Sequence, residues 1–197
     1  MSAANPRAGE IISAALNVFG RYGYQRTSME LIAQAAGISR PALYQHFSGK
    51  DDIFRAAGER MADELISAAE IAAAADGSTA DRLYRALAVK LDLTAGPVDA
   101  RFRRDLIAEA SARLPDLQAS MRARHAAVIE KLLTSAADLD LAATAIRAHD
   151  IAVMLLDALT GIAQQEDPPD ELRRRLSYLV SLTVGSLARP TQERETP

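Results

Sequence analysis

The stretch TSMELIAQAAGISRPALYQHFSGK, Thr27 to Lys50, holds two capped helix starts with a glycine between them and ends in a Tyr, a His and a Lys. Thr27 and Glu30 have the T-x-x-E spacing of a capping box, in which a hydroxyl and a carboxylate satisfy each other's backbone donors, so a short helix is expected over 28–36 with Thr27 at its cap. Gly37 closes that helix, because glycine enters the left-handed conformation without a Cβ penalty. Ser39 caps a further helix containing RPALYQHF, and Pro41 falls in its first turn, where a missing N–H costs nothing. Ala33, Gly37 and Leu43 stand at offsets 0, +4 and +10 with Ile32 and Ile38 beside them. This is helix-turn-helix spacing: a small residue at the crossing, a tight turn, and apolar groups wedged between the helices. Arg40, Pro41, Ala42, Tyr44 and Gln45 then face outward, on a helix of a size that a DNA major groove admits.

The apolar spacing on either side is also helical. Ile12, Ala15, Leu16 and Phe19 follow i, i+3, i+4, i+7, which predicts a helix from Pro6 to Tyr22, ended by Gly20 and Gly23. A long helix is expected from Gly49 to Ala75, then helices near 79–94, 99–112, 116–136, 142–165 and 170–188. These are separated by ADGST, TAGPVD, RLP, DLDL and EDPPD. With 5% aromatics and no alternating β-branched runs, the chain reads as all-α with about nine helices.

At 197 residues and 49% hydrophobic content the chain is long enough for a packed core without staples. It has no cysteine, which excludes disulfides, thiol catalysis and Cys-based zinc sites. The three histidines, His46, His125 and His149, form neither an H-E-x-x-H pair nor a Ser/His/Asp grouping, so no enzyme, metal or cofactor is expected. No leader is legible at the N-terminus, and the longest apolar run, IAVMLLDALTGIA, is short and broken by Asp157, so the expectation is a cytoplasmic protein without a membrane span. Net charge is −3, but residues 1–50 carry five Lys/Arg against two acids, a net of +3, leaving −6 for the remainder. A basic head on an acidic body suits an anion-facing module attached to something else.

The order Ala15-x-x-x-Phe-Gly-x-x-Gly-Tyr-x-x-Thr-Ser-Met29, followed by Ile32-Ala-x-x-Ala-Gly-Ile-Ser39 and Leu43-Tyr-x-His-Phe-x-x-Lys50, resembles the TetR (tetracycline-repressor) type of transcriptional regulator. The motif match covers about the first 55 residues; the body is similar in plan alone. The resemblance implies a homodimer that binds inverted-repeat operator DNA and is released by a small-molecule effector. The domains are then a helix-turn-helix head at 1–50, a ligand-binding and dimerisation body at 51–188, and a flexible tail at 189–197. It makes Thr27, Tyr44, His46 and Lys50 phosphate contacts and Arg40, Pro41, Ala42 and Gln45 base-reading positions, with Ser39 at the same surface. Arg forks onto guanine, Gln pairs with adenine, and Ala or Pro touches a thymine methyl, so shape readout supplements a face with few hydrogen-bonding groups. The competing reading is a helical adaptor that uses the head for protein contacts.

In the body, Leu117, Met121, His125, Val128 and Leu132 form one stripe, and Asp157 shares another with Val153, Leu156 and Thr160. Burying that carboxylate unpaired costs several kcal/mol, so it requires a partner. The simpler reading of both is structural: a core His on a carbonyl, and an Asp paired to Arg or exposed at the end of the bundle. The other reading makes Leu87, Phe102, Met121, His125, Met154 and Asp157 the lining of an effector pocket. The dimer face is expected on the last two helices, through Leu172, Leu176, Leu179, Val180, Thr183 and Leu187, with small Ser181, Gly185 and Ser186 between.

Overall fold

The computed structural model describes residues 6–95, 100–165 and 167–189. Among them the regular elements are helices: α1 Pro6–Arg26, α2 Met29–Ala35, α3 Arg40–Tyr44, α4 Lys50–Ala74, α5 Thr79–Ala95, α6 Ala100–Arg113, α7 Pro115–Ser135, α8 Ala148–Ala163 and α9 Pro169–Leu187. A 3-10 turn at Leu141–Ala143 precedes α8, which starts six residues later than the apolar pattern suggested. One isolated antiparallel bridge joins Leu139 to Ala188. Of the tail expected at 189–197, Arg189 donates hydrogen bonds to the Asp138 and Leu139 carbonyls at 3.0 and 3.1 Å, while 190–197, like 96–99 of TAGPVD, lie outside the described residues.

The chain forms two compact units. The first takes Met1–Glu64 and Thr94–Met121, and its core joins Ile11, Ala15, Val18 and Phe19 of α1 to Ile32 and Ala33 of α2, Leu43 of α3, Ile53 and Phe54 of α4, and Leu114. Here α6 packs along α1, so the helix expected over 99–112 belongs with the head helices. The second unit takes Leu65–Leu93 and Arg122–Pro197 and has its own core of Leu83, Leu87, Ile129, Leu133, Leu156, Leu159 and Leu176.

Two glycines decide the local path of the head. α1 runs straight through the buried Gly20 and breaks instead at Gly23, at φ 75° and ψ 167°, an angle pair that puts a Cβ against the backbone. Gly37 has φ 64°, the left-handed residue that ends α2 as the sequence required. A Cβ built on Gly37 meets nothing within 4 Å, so its requirement is purely conformational. Gly37→Ala should therefore destabilise by about 1–2 kcal/mol through backbone strain alone. Gly9→Ala, equally open but inside helical α1, should stabilise by about 0.5–1 kcal/mol. Urea unfolding of the two variants checks the opposite signs.

Candidate nucleic-acid interface

α2 and α3 meet as the offsets required: Ala33 and Leu43 are buried, and the Ile38 N–H donates to the Ala33 carbonyl at 3.0 Å across the turn. The cap of α2 differs from the expectation by one residue. Ser28, not Thr27, accepts from the Leu31 N–H at 3.2 Å. Thr27 is 3% exposed, and its hydroxyl donates to the Gly23 carbonyl at 2.7 Å, an acceptor left over by the break in α1. Its own N–H donates to the Tyr24 carbonyl at 3.2 Å. Thr27, expected as a phosphate contact, thus has its side chain buried and its hydroxyl engaged within the head.

Ser39 caps α3 as expected, accepting from the Ala42 N–H at 3.3 Å. Leu43 and Phe47 point into the core, which turns Arg40, Pro41, Tyr44 and Gln45 outward, with Ala42 and His46 half-buried at the edges. The Arg40 guanidinium lies 5.6 Å from the Tyr44 ring centroid, and its Nη2 is 3.5 Å from the Tyr44 hydroxyl. A flexible side chain is thereby laid along the exposed face before any ligand arrives.

Lys50 begins α4, where its charge opposes the helix dipole. The compensation starts inside the chain: Nζ donates to the Tyr24 carbonyl at 3.0 Å and sits 4.2 Å from the centroid of the Tyr24 ring. The Arg113 guanidinium of α6 approaches the same ring at 4.3 Å. Arg113 also pairs with Asp51 at 3.1 Å and Glu109 at 2.7 Å, while the Tyr24 hydroxyl donates to Asp51 and Gln25 donates to Glu109. Burial, reinforced by the Asp51 hydrogen bond, pushes the Tyr24 phenol up to about 12, so it stays a neutral donor. The Arg113 hydrogen bond, followed by that from Gln25, holds Glu109 below the usual carboxylate range. Asp52 accepts from the Ser48 N–H and hydroxyl at 2.9 and 3.1 Å, closing the turn before α4. Sequence reading singled out Lys50 but missed Tyr24, Asp51, Glu109 and Arg113 as one network, since its members come from α1, α4 and α6 with no local signal between them.

Residues 11–57 match the family described as bacterial regulatory proteins, tetR family. The head is thus similar to the DNA-binding domain of the tetR family. It is 44% identical over 61 residues to the HTH-type transcriptional activator FasR of Mycolicibacterium smegmatis, a match covering 31% of this chain and 28% of that protein. It is 46% identical over 44 residues to the HTH-type transcriptional regulator AcrR of Shigella flexneri, covering 22% of this chain and 20% of that one. The chain thus spans under a third of the length of either relative. Likeness over the whole chain is one of fold: a solved tetR-family regulator from Mesorhizobium loti superposes with a TM-score of 0.70 at 24% identity, covering 96% of this chain and all of that one.

Outside the tetR-like head, the structure distributes the candidate effector residues over different environments. Leu87 is fully buried in the core of the second unit. His125 is 2% exposed, and its Nε2 lies 3.0 Å from the Ala86 carbonyl, the arrangement of a satisfied core histidine. Met154 is 61% exposed, and Asp157, also exposed, pairs with Arg122 at 2.7 Å. Met121 is half-buried, and the Phe102 side chain lies outside the described residues. Two open clefts of about 500 and 530 Å3 occur in the first unit, beside Asp51, Phe54 and Arg113 and beside Tyr22, Gln25 and Glu109; among the described residues, neither is lined by Leu87, Met121, His125, Met154 or Asp157.

The dimer candidates divide by face. Leu176, Val180 and Leu187 are buried in the chain's own core, with Leu172, Leu179 and Thr183 half-buried, so the stripe read as an interface is mostly the inner face of α9. Its outer face carries Tyr178, 60% exposed, and Leu182, 74% exposed, with Gly185 one turn further on.

Burial holds the His125 imidazole below the ordinary histidine range. The unfolded chain therefore binds the extra proton first, and this contribution to stability, full above about pH 6.5, is lost as pH falls through the folded value. Urea titrations at successive pH values should show stability dropping more steeply toward acid in the wild type than in His125→Gln.

Proposed function

We propose that the chain is a DNA-binding transcriptional regulator that acts as a homodimer on an inverted-repeat operator, with α3 of each head in a major groove. The observation that carries this reading is the clean division of α3 and the turn that follows it: Leu43 and Phe47 are consumed by the core, while Arg40, Pro41, Tyr44 and Gln45 stand outward behind a capped N-terminus and ahead of Lys50. Arg40 supplies paired donors for a guanine edge and Gln45 one donor and one acceptor for an adenine edge; Tyr44, His46 and Lys50 supply groups for phosphates. An adaptor surface has no reason to gather cations and polar-tipped rings along a helix that short. Whether binding represses or activates is fixed by where the operator lies relative to a promoter, which is a property of the DNA.

The outer face of α9 is the dimer surface in this reading. Tyr178, Leu182 and Gly185 follow i, i+4, i+7 on one side of that helix, and α8, which packs against α9, adds exposed Met154 and Gly161. Added Cβ atoms at Gly161 and Gly185 meet nothing within 4 Å, so both leave room for a close helix approach. A two-fold pair places two heads on two half-sites, which an inverted repeat matches. The resemblance adds a small-molecule effector, for which the second unit offers a polar group of α5 and α8: Lys90 donates to the Thr160 hydroxyl at 3.0 Å, near the Arg122–Asp157 pair.

Selection on random duplexes should enrich an inverted repeat whose affinity falls as salt rises. Arg40→Ala should relax preference at one base position per half-site by about 1–3 kcal/mol. A pool without enrichment, bound without salt dependence, gives the adaptor reading the field. Leu182→Glu should yield folded monomers with weakened operator binding in sedimentation and anisotropy, whereas Leu176→Glu should lower the melting temperature instead, because that side chain is fully buried.

A further inference from the structure

Lys50 is held in an unusual way for a surface lysine. A lysine on a helix terminus ordinarily samples many rotamers and loses that freedom on binding, which subtracts from each contact it makes. Here the ammonium is fixed by two features of a single residue, the Tyr24 carbonyl at 3.0 Å and the Tyr24 ring at 4.2 Å. Tyr24 in turn is immobilised on all sides. Its ring packs against Phe54 at 4.8 Å and Phe19 at 5.9 Å between centroids, Arg113 approaches it at 4.3 Å, and its hydroxyl donates to Asp51. The backbone angle that brings Tyr24 there is set by Gly23.

We propose that Tyr24 is a positioning residue for DNA binding: it holds the Lys50 ammonium in place for a phosphate while its hydroxyl, with Arg113, draws the adjacent Asp51 carboxylate aside. This rests on the reading of Lys50 as a phosphate contact. An ammonium has three N–H donors; the carbonyl takes one and the ring face attracts the charge, which leaves donor capacity for an outside oxyanion. Asp51, next in sequence, would repel that oxyanion if its charge were loose. It is instead bound to the Tyr24 hydroxyl and to Arg113 at 3.1 Å. Tyr24 never touches DNA in this account, and its effect passes through Lys50.

The test is the salt dependence of operator binding, because the slope of log affinity against log salt counts phosphates neutralised, whereas loss of folded protein lowers the active fraction and leaves the slope alone. Lys50→Gln should weaken all duplexes alike and reduce the slope by about 0.9 per head. Tyr24→Leu, which removes ring and hydroxyl and leaves only the main-chain carbonyl, should reproduce that reduction; Tyr24→Phe, which removes the hydroxyl alone, should retain the wild-type slope but weaken binding at every salt concentration, because Asp51 loses one of its two tethers. A folded Tyr24→Leu protein with an unchanged slope, where Lys50→Gln has lowered it, overturns the inference. An unchanged slope in Lys50→Gln removes the phosphate role of Lys50 itself, and absence of salt-dependent binding in the wild type removes the DNA reading, so the three failures are distinct. Should Tyr24→Leu not fold, carbon-13 lysine labelling of the wild type decides the matter, since the chain has three lysines, Lys50, Lys90 and Lys131. The Lys50 ε-methylene should be shifted upfield by the ring, and should stay shifted in the DNA complex. A resonance at the position of an exposed lysine in that complex overturns the proposal.

Discussion

The first unit is organised around three rings. Phe54 meets Phe19 edge-on at 5.2 Å and Tyr24 at 4.8 Å, which ties both sides of the break in α1 to the first turns of α4. Aromatic pairs of this kind contribute about 0.5–1.5 kcal/mol each beyond the area they bury. More important here is that they have geometry. A ring packed edge against face resists rotation and sliding in a way that a cluster of leucines does not. The break at Gly23 lets Tyr24 turn into this cluster, Thr27 seals the carbonyl that the break exposes, and α2 and α3 follow from an anchored start.

Charge in the first unit is arranged by the same anchoring. The basic excess of residues 1–50 is offset within the unit by acids that include Asp51, Asp52 and Glu109, each of which is engaged by a cation or by backbone and hydroxyl donors. Exposed ion pairs such as these contribute only about 0–1 kcal/mol to stability. Their consequence is spatial. Carboxylates drawn toward Arg113 and Ser48 are fixed in position, and Glu109, held by Arg113 and Gln25, lies close enough to Lys50 to be stabilised by its charge as well.

Much of the head was legible because its signals are local. Gly37, Ser39 and Leu43 each act within four residues of themselves, and each stands where spacing put it. The α2 cap was misread because Thr27 and Ser28 carry the same chemistry, and what separates them is a carbonyl made available by a break in the preceding helix. The α9 face was misread for a related reason. Leu176, Val180 and Leu187 make the stronger apolar stripe, but a stripe does not say whether its partner is the same chain or another. His125 followed its periodicity into the core, whereas Asp157 stays at the surface, where it pairs with Arg122 and no cost of burial arises. The pairing of α6 with α1 had no sequence signature, since Gln25 and Glu109 announce nothing to each other across 84 residues.

The division of α3 into consumed and unconsumed side chains also bears on how such a head changes over generations. Leu43 and Phe47 hold the helix to its core, and their replacement undoes the fold. Arg40, Pro41, Tyr44 and Gln45 project from that core, and surface substitutions away from special features usually alter stability by no more than about 0.5 kcal/mol. Duplicated copies of the gene are therefore free to drift at these positions without falling below the threshold for folding. On the proposed function, new target sequences become accessible in single steps, each tested on an intact scaffold.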